Sequence, residues 1–173
     1  MSLPKDPQSW KRPGFLISTD KALLSIKSIN DAFDKDFVYW THPHPEDVLQ
    51  TMLDGSCCLG VYKVNSDNAA ATDNKPSLEQ VGFARVITDN VTFAYLTDVY
   101  VLPANQGCGL GSWLIDCIGE LFKPLPYMRR IMLLTGNAKT QASYEKRLGM
   151  SVMGDMDVKK GVVAMHWKGE RSY

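Results

Sequence analysis

The residues best placed to do chemistry lie in a glycine-rich turn that leads directly into an amphipathic helix. The turn spans Gly107 to Gly111, and the segment after it carries apolar side chains at intervals of three and four residues. The first amides of a helix have no intrahelical acceptors and carry a partial positive charge. Glycines let the backbone approach phosphate oxygens closely, and Ser112 can add a hydroxyl. The segment therefore predicts a site for a ligand that carries a pyrophosphate.

Two other phosphate-binding motifs do not match this segment. An NTPase P-loop requires a Lys before its Ser or Thr, whereas Gly111 directly precedes Ser112. A dinucleotide-binding fold requires a third glycine where Ser112 stands, and an acidic residue after the next strand. That strand ends instead in Leu134-Thr135-Gly136-Asn137. A turn that only joins a strand to a helix is the purely structural alternative.

The segment Gln106-Gly107-Cys108-Gly109-Leu110-Gly111 resembles the Gln/Arg-x-x-Gly-x-Gly/Ala signature of the GNAT N-acetyltransferase superfamily. Val101-Leu102-Pro103 lies upstream at the usual distance. Asn137 and the run from Ser143 to Met150 are similar to the downstream pattern Asn … Tyr-x-x-x-Gly-Phe. The resemblance covers nearly the whole chain, from about Phe15 to Trp167.

The resemblance implies that acetyl-CoA binds along these segments. It implies backbone contacts of the 99–101 strand with the pantetheine arm, and amide contacts of residues 107–112 with the pyrophosphate. It also implies that Asn137 contacts the coenzyme and that Tyr144 lies near the thioester sulfur. The implied cofactor-binding residues are Val99, Tyr100, Val101, Gln106, Gly107, Cys108, Gly109, Leu110, Gly111, Ser112, Asn137 and Tyr144.

Acetyl transfer to an amine requires a neutral nucleophile, and an alkylamine with a pKa of about 10.4 is almost entirely protonated at pH 7. A base or an apolar pocket must offset that cost. Tyr144 is the predicted catalytic proton donor to the departing thiolate, and Asp98 is the predicted catalytic group on the amine side. The alternatives are a Tyr144 that only packs in the core and an Asp98 that is ion-paired. Base catalysis by Asp98, by Tyr95 or through waters stays open.

Three residues depart from the family pattern. Gln106 stands where many members have Arg, Met150 replaces the common Phe, and Met132 stands where some members place a catalytic Glu. The favoured function is acetyl transfer from acetyl-CoA to a primary amine of a small molecule. Because Met132 cannot act as a base, a non-catalytic acyl-CoA-binding domain is one alternative. A protein N-terminal or lysine acetyltransferase is the other.

Composition and charge argue against several broad classes. The 173 residues carry 19 basic and 19 acidic side chains, and a formal net charge of zero is unlike a nucleic-acid-binding domain. No apolar stretch approaches the length of a membrane span, and the N-terminus has no apolar signal region. The four cysteines lack metal-binding spacing. These features predict a cytoplasmic protein with reduced thiols, no metal and no membrane partner; a homodimer is an open option.

The pattern of elements predicts a single α+β domain over residues 1–173. We expect a GNAT-like fold with a mixed, mostly antiparallel sheet of six to seven strands and about four flanking helices. Residues 1–14 are predicted as a lead-in segment and 65–78 as an exposed loop insertion. The aromatic cluster of Phe37, Tyr39 and Trp40 is predicted to line the acceptor pocket or to pack in the core. The predicted strands are 15–18, 57–64, 80–88, 92–101, 130–135, 150–153 and 161–167.

Overall fold

The computed structural model describes residues 2–65 and 77–153. The strands are β1 (Ser9–Arg12), β2 (Phe15–Ser18), β3 (Cys57–Asn65), β4 (Ser77–Thr88), β5 (Phe93–Val101) and β6 (Arg130–Met132). The helices are α1 (Ile26–Phe33), α2 (Glu46–Asp54), α3 (Leu110–Phe122) and α4 (Ala138–Leu148). Short 3-10 turns at Lys21–Leu23 and Pro103–Asn105 precede α1 and the glycine turn.

The strands form one sheet in chain order, from β1 to β6. Each neighbouring pair from β1 to β5 is antiparallel, whereas β6 is parallel to β5. A parallel neighbour requires a crossover, which α3 supplies between β5 and β6. The mixed, mostly antiparallel sheet and the α+β class are confirmed.

The two faces of the sheet carry separate hydrophobic clusters. On one face, Leu114 and Ile118 of α3 pack with sheet residues such as Leu59, and α4 adds Leu148. On the other face, α1 and α2 pack over a cluster that includes Cys58, Phe83 and Tyr100. The sheet therefore separates an α3–α4 side from an α1–α2 side, and β5 contributes residues to both.

The N-terminal segment holds the position of α3. Residues 1–14 include β1, which pairs with β2 through a hairpin whose Gly14 has a φ of 76°. Trp10 Nε1 donates to Glu120 of α3 at 2.6 Å, and the Arg12 guanidinium lies 4.5 Å from the ring centroid of Trp113. The predicted lead-in therefore contains an edge strand of the sheet, Ser9–Arg12, whose side chains contact a helix more than 100 residues further along the chain.

Other boundaries also differ from prediction. The sequence predicts a first helix capped by Thr19 or Asp20, but the helix begins at Ile26. Asp20 caps only the 3-10 turn, by accepting from Ala22 N. Strand β6 ends at Met132, three residues early. Residues 150–153 are in no strand, while residues 66–76 of the predicted insertion and the predicted strand 161–167 lie outside the described residues.

Candidate active site

The sheet splits beside β5. Strand β6 pairs with it only from Phe93↔Arg130 to Tyr95↔Met132, whereas β5 continues to Val101. Beyond Tyr95, no strand in the described ranges pairs with this side of β5. The split leaves a length of extended main chain open to an incoming ligand.

The main chain of Val101 faces this split. Leu102 N donates to Val81 O of β4 at 2.8 Å, and groups of an antiparallel strand alternate in direction along the chain. The N–H and C=O of Val101 therefore face away from β4. Its carbonyl oxygen accepts from Gln106 Nε2 at 2.9 Å, which ties the glycine turn to the end of β5.

A β-bulge lies just before that point. The register passes from Phe83↔Tyr100 to Arg85↔Thr97, so two residues of β5, Asp98 and Val99, lie opposite one residue of β4. Asp98 has a φ of 53°. Because of the extra residue, Thr97 and Tyr100 face the same side of the sheet.

The glycine turn presents main-chain donors at the N-terminus of α3. Gly107 and Gly109 have φ of 89° and 78°, and Gly109 is an N-cap without a side-chain hydrogen bond. The first intrahelical bond runs from Trp113 N to Gly109 O at 3.0 Å, so the three amides before Trp113 have no intrahelical acceptor. A Cβ added at Gly107, Gly109 or Gly111 would meet no atom within 4 Å. The turn is thus an open cradle of N–H groups, suited to phosphate oxygens.

Tyr144 is buried on α4 in the cluster that also contains Val101 and Leu110 of β5 and α3. Burial raises its pKa to about 12, so the phenol keeps its proton at neutral pH. Four residues separate Tyr144 from Gly149, one more than in the family pattern. Asn137 caps α4, and Tyr144 follows it by seven residues, or about two helical turns. Tyr144 therefore lies on the same face of α4 as the cap, and this face is buried at Tyr144 and Leu148.

Asn137 caps α4, which leaves only part of its side chain for a ligand. Its Oδ1 accepts from Lys139 N at 2.9 Å and from Thr140 N at 3.2 Å. The Nδ2 group is the part that can still donate to a coenzyme. Cys108 is exposed in the turn, and its thiol contacts Asn105 O at 3.0 Å.

Asp98 forms a buried ion pair. Its Oδ2 lies 2.6 Å from Arg85 Nε, and the two side chains are 5% and 13% exposed. Arg85 also donates from Nη1 to Ser56 Oγ at 3.3 Å. Sequence reasoning named Asp98 but missed Arg85. Arg85 could have been found as the one charged residue in the apolar part of β4, between Phe83 and Val86.

The predicted aromatic cluster is divided between core and surface. Phe37 packs edge-on against Tyr100 with ring centroids 6.2 Å apart. Tyr39 and Trp40 contact each other and are 70% and 37% exposed. The ring centroid of Tyr100 also lies 6.4 Å from that of Phe33 and 6.1 Å from that of Phe83. Burial of the Tyr100 phenol, and secondly the negative charge of Asp98, raise the pKa of Tyr100. Tyr100 thus directs its ring to the α1–α2 side, while the main chain of the next residue, Val101, faces the split.

Within the described ranges, no three His, Cys, Asp or Glu side chains are grouped so that they could hold a metal ion. None of the helices in that part of the chain is long and apolar enough to cross a membrane.

The model of the acetyltransferase (GNAT) family matches residues 26–150. A Gibberella zeae protein named "Putative acetyltransferase" is 42% identical over 163 residues, which is 90% of each chain. The crystal structure of a GNAT-family protein from Xanthomonas campestris pv. campestris has 30% identity and a TM-score of 0.65, over 91% of this chain and 96% of that chain. A GNAT family protein of Streptococcus pneumoniae TIGR4 has 18% identity and a TM-score of 0.58, over 90% and 98%, and shows the fold alone. Because the family match spans well over half of its residues, this chain belongs to the GNAT acetyltransferase family.

Proposed function

We propose that this protein is an acetyl-CoA-dependent N-acetyltransferase that transfers the acetyl group directly to a primary amine of a small molecule. One observation carries the proposal: the uncapped N-terminus of α3 adjoins the open side of β5. The first feature suits a pyrophosphate and the second suits an extended chain with amide groups. The bond from Gln106 to Val101 joins the two into one continuous surface.

The described residues fit acetyl-CoA. The amides from Gly107 to Ser112 would hold the pyrophosphate, and the main chain from Val99 to Val101 would bind the pantetheine arm. Asn137 would donate to the coenzyme through Nδ2, because its Oδ1 caps α4. When bound, acetyl-CoA supplies a thioester whose carbonyl carbon is open to attack.

Two groups of the chain would act on the reaction itself. The N–H of Val101 faces the split, where it can stabilise negative charge on the acetyl oxygen as the amine attacks. Tyr144 is protonated at neutral pH and can donate its proton to the departing thiolate. The amine nitrogen loses a proton to water as the amide forms, and a proton from water restores the phenol. Transfer is direct in this proposal, so the Cys108 thiol takes no part.

The acceptor would approach from the α1–α2 side. The rings of Phe37 and Tyr100 pack against each other on that side and would supply an apolar surface for the acceptor. Apolar surroundings lower the pKa of an amine and so favour its neutral, nucleophilic form. The sequence-based prediction that Asp98 acts on the amine stays a prediction, and this proposal gives Asp98 no part in the reaction, because Arg85 engages its carboxylate. Cytoplasmic location and a homodimer also stay predictions.

Calorimetry with acetyl-CoA, followed by a thiol-release assay with a panel of small amines, tests the proposal. Cys108→Ser is the suitable background for that assay, because the exposed thiol of Cys108 would react with the reagent. We expect binding of acetyl-CoA and turnover with at least one small amine. Binding without turnover would favour the acyl-CoA-binding alternative, turnover confined to peptides would favour protein acetylation, and no binding would overturn the proposal.

A further inference from the structure

Both members of the ion pair at the bulge of β5 form further hydrogen bonds within the chain. Asp98 Oδ2 accepts a hydrogen bond from Arg85 Nε at 2.6 Å, and Asp98 Oδ1 accepts one from Thr97 Oγ1 at 3.3 Å. Arg85 Nη1 reaches Ser56 Oγ, which in turn donates to Met52 O of α2 at 2.8 Å. Both carboxylate oxygens therefore have donors, and the guanidinium connects the bulge to the turn after α2.

The backbone of Asp98 is strained where the pair forms. Its φ of 53° lies in the left-handed region that residues other than glycine rarely adopt. In the described ranges only one other non-glycine residue has a positive φ, Asn90, and it lies in an exposed turn. A strained residue persists when its surroundings hold it. The buried guanidinium of Arg85 is the group that holds Asp98.

The bulge decides how the rest of β5 is presented. Side chains alternate along a strand, so a strand without the extra residue would exchange the faces of Tyr100 and Val101. Tyr100 would then leave its aromatic neighbours, and the carbonyl of Val101 would turn away from Gln106. The geometry proposed to receive acetyl-CoA thus depends on the backbone conformation at Asp98.

We propose that Arg85 is a positioning residue that acts through Asp98 to hold the bulge, and so directs the main chain of β5 toward the coenzyme. In this assignment the Asp98 carboxylate binds the guanidinium of Arg85 and does not act on the acceptor amine. The inference rests on the proposed function, because the main chain it concerns is the one assigned to acetyl-CoA.

Two double variants isolate the backbone effect: Arg85→Met with Asp98→Gly, and Arg85→Met with Asp98→Ala. Both lack the ion pair, but glycine adopts a positive φ without strain and alanine does not. We expect the glycine variant to bind acetyl-CoA within about threefold of wild type and the alanine variant to bind at least about tenfold more weakly. The glycine variant should also be the more heat-stable of the two, although glycine normally weakens a strand. Equal affinities in the two variants would overturn the proposal.

Turnover separates positioning from direct action on the amine. If Arg85 and Asp98 only set the backbone, the glycine variant keeps its kcat. A large loss of kcat with the acetyl-CoA affinity intact would mean that Asp98 acts on the amine, and would overturn the assignment. Asp98→Asn gives the same comparison with less disturbance, since Asn tolerates the left-handed region and can still accept from Arg85.

Arg147→Met is the matched control for loss of an Arg–Asp pair. Arg147 lies 2.7 Å from Asp116, in a half-exposed pair between α4 and α3. We expect it to leave the dissociation constant of acetyl-CoA unchanged; an equal weakening would show general destabilisation and overturn the proposal. If wild-type protein does not bind acetyl-CoA, the proposed function fails. If wild type binds and the double variants match it, only the role of Arg85 fails.

Discussion

The side-chain amide of Gln106 donates a hydrogen bond of 2.9 Å to the carbonyl oxygen of Val101. The bond joins two neighbouring parts of the molecule, the turn that exposes helix amides and the strand end that exposes main chain. A side chain therefore helps to fix the distance between the turn and the strand end, together with the main-chain bonds of the 3-10 turn at Pro103–Asn105. The neutral side chain at position 106 adds no positive charge to the proposed phosphate site.

Gln106→Glu should weaken the binding of acetyl-CoA, and Gln106→Arg should strengthen it. In Gln106→Glu the carboxylate cannot donate to Val101 and repels phosphate, so we expect affinity for acetyl-CoA to fall by about tenfold or more. Gln106→Arg keeps the donor and adds a charge, and should bind several times more tightly at low salt. Calorimetry at two salt concentrations measures both. A Gln106→Glu protein that binds like wild type would contradict the role of this bond.

Gly111→Ala should separate stability from binding. A Cβ at position 111 meets no atom within 4 Å, and alanine in a helix is more favourable than glycine by about 0.5–1 kcal/mol, so the free protein should melt at a higher temperature. The same methyl group would occupy the space beside the first amides of α3, so acetyl-CoA should bind more weakly. Thermal unfolding measures the expected rise in melting temperature, and calorimetry measures the expected loss of acetyl-CoA affinity. Gly55→Ala, after α2, is a glycine control remote from the turn. A tighter complex would mean that the ligand lies elsewhere.

Tyr144→Phe should reduce turnover without affecting coenzyme binding. The variant loses only the proposed proton donor, and general acid catalysis of this kind contributes about 10²-fold or more to the rate. Its acetyl-CoA affinity should stay within about twofold of wild type, because the ring keeps its packing. Since burial raises the pKa of Tyr144 to about 12, kcat of the wild type should show no loss from ionisation of this group up to about pH 10. Steady-state rates and calorimetry decide the matter, and a wild-type kcat in the variant would remove Tyr144 from catalysis.

The protein should lose stability in alkaline solution. Burial raises the pKa of the Cys58 and Cys117 thiols from 9.0 to about 12. Between these values the unfolded chain releases protons that the folded chain retains, so the free energy of unfolding falls as pH rises from about 9 to about 12. Urea unfolding at a series of pH values measures the slope. Cys117→Ala should make the slope shallower, and a slope that this substitution leaves unchanged would refute the explanation.

Local sequence patterns predicted the parts of the fold that depend on local chemistry. The strands β3, β4 and β5 and the glycine turn all follow from side-chain type and spacing. The start of α1 did not, because Asp20 and Ser25 are both good caps. Ser25 N donates to Gln80 Oε1 of β4 at 2.8 Å, so a residue 55 positions away decides which cap begins the helix.

In the candidate site, too, some features follow from the local sequence and others depend on contacts between residues that are distant in sequence. The donors of the turn lie in one continuous segment and could be predicted from it. The bulge at Asp98 depends on Arg85 of the neighbouring strand, and the open side of β5 depends on where β6 ends. Neither relationship leaves a periodic signal, since each is decided by contacts between elements that are distant in sequence.

The N-terminal hairpin has a practical consequence for anyone who shortens this protein. The family match begins at Ile26, yet β1 and β2 precede it and supply two of the six strands of the described sheet. Trimming the chain to residues 26–150 would strip β3 of its outer neighbour and leave a nine-residue edge free to pair with other molecules. Such a fragment should aggregate during expression, even though it retains every residue that the family match covers.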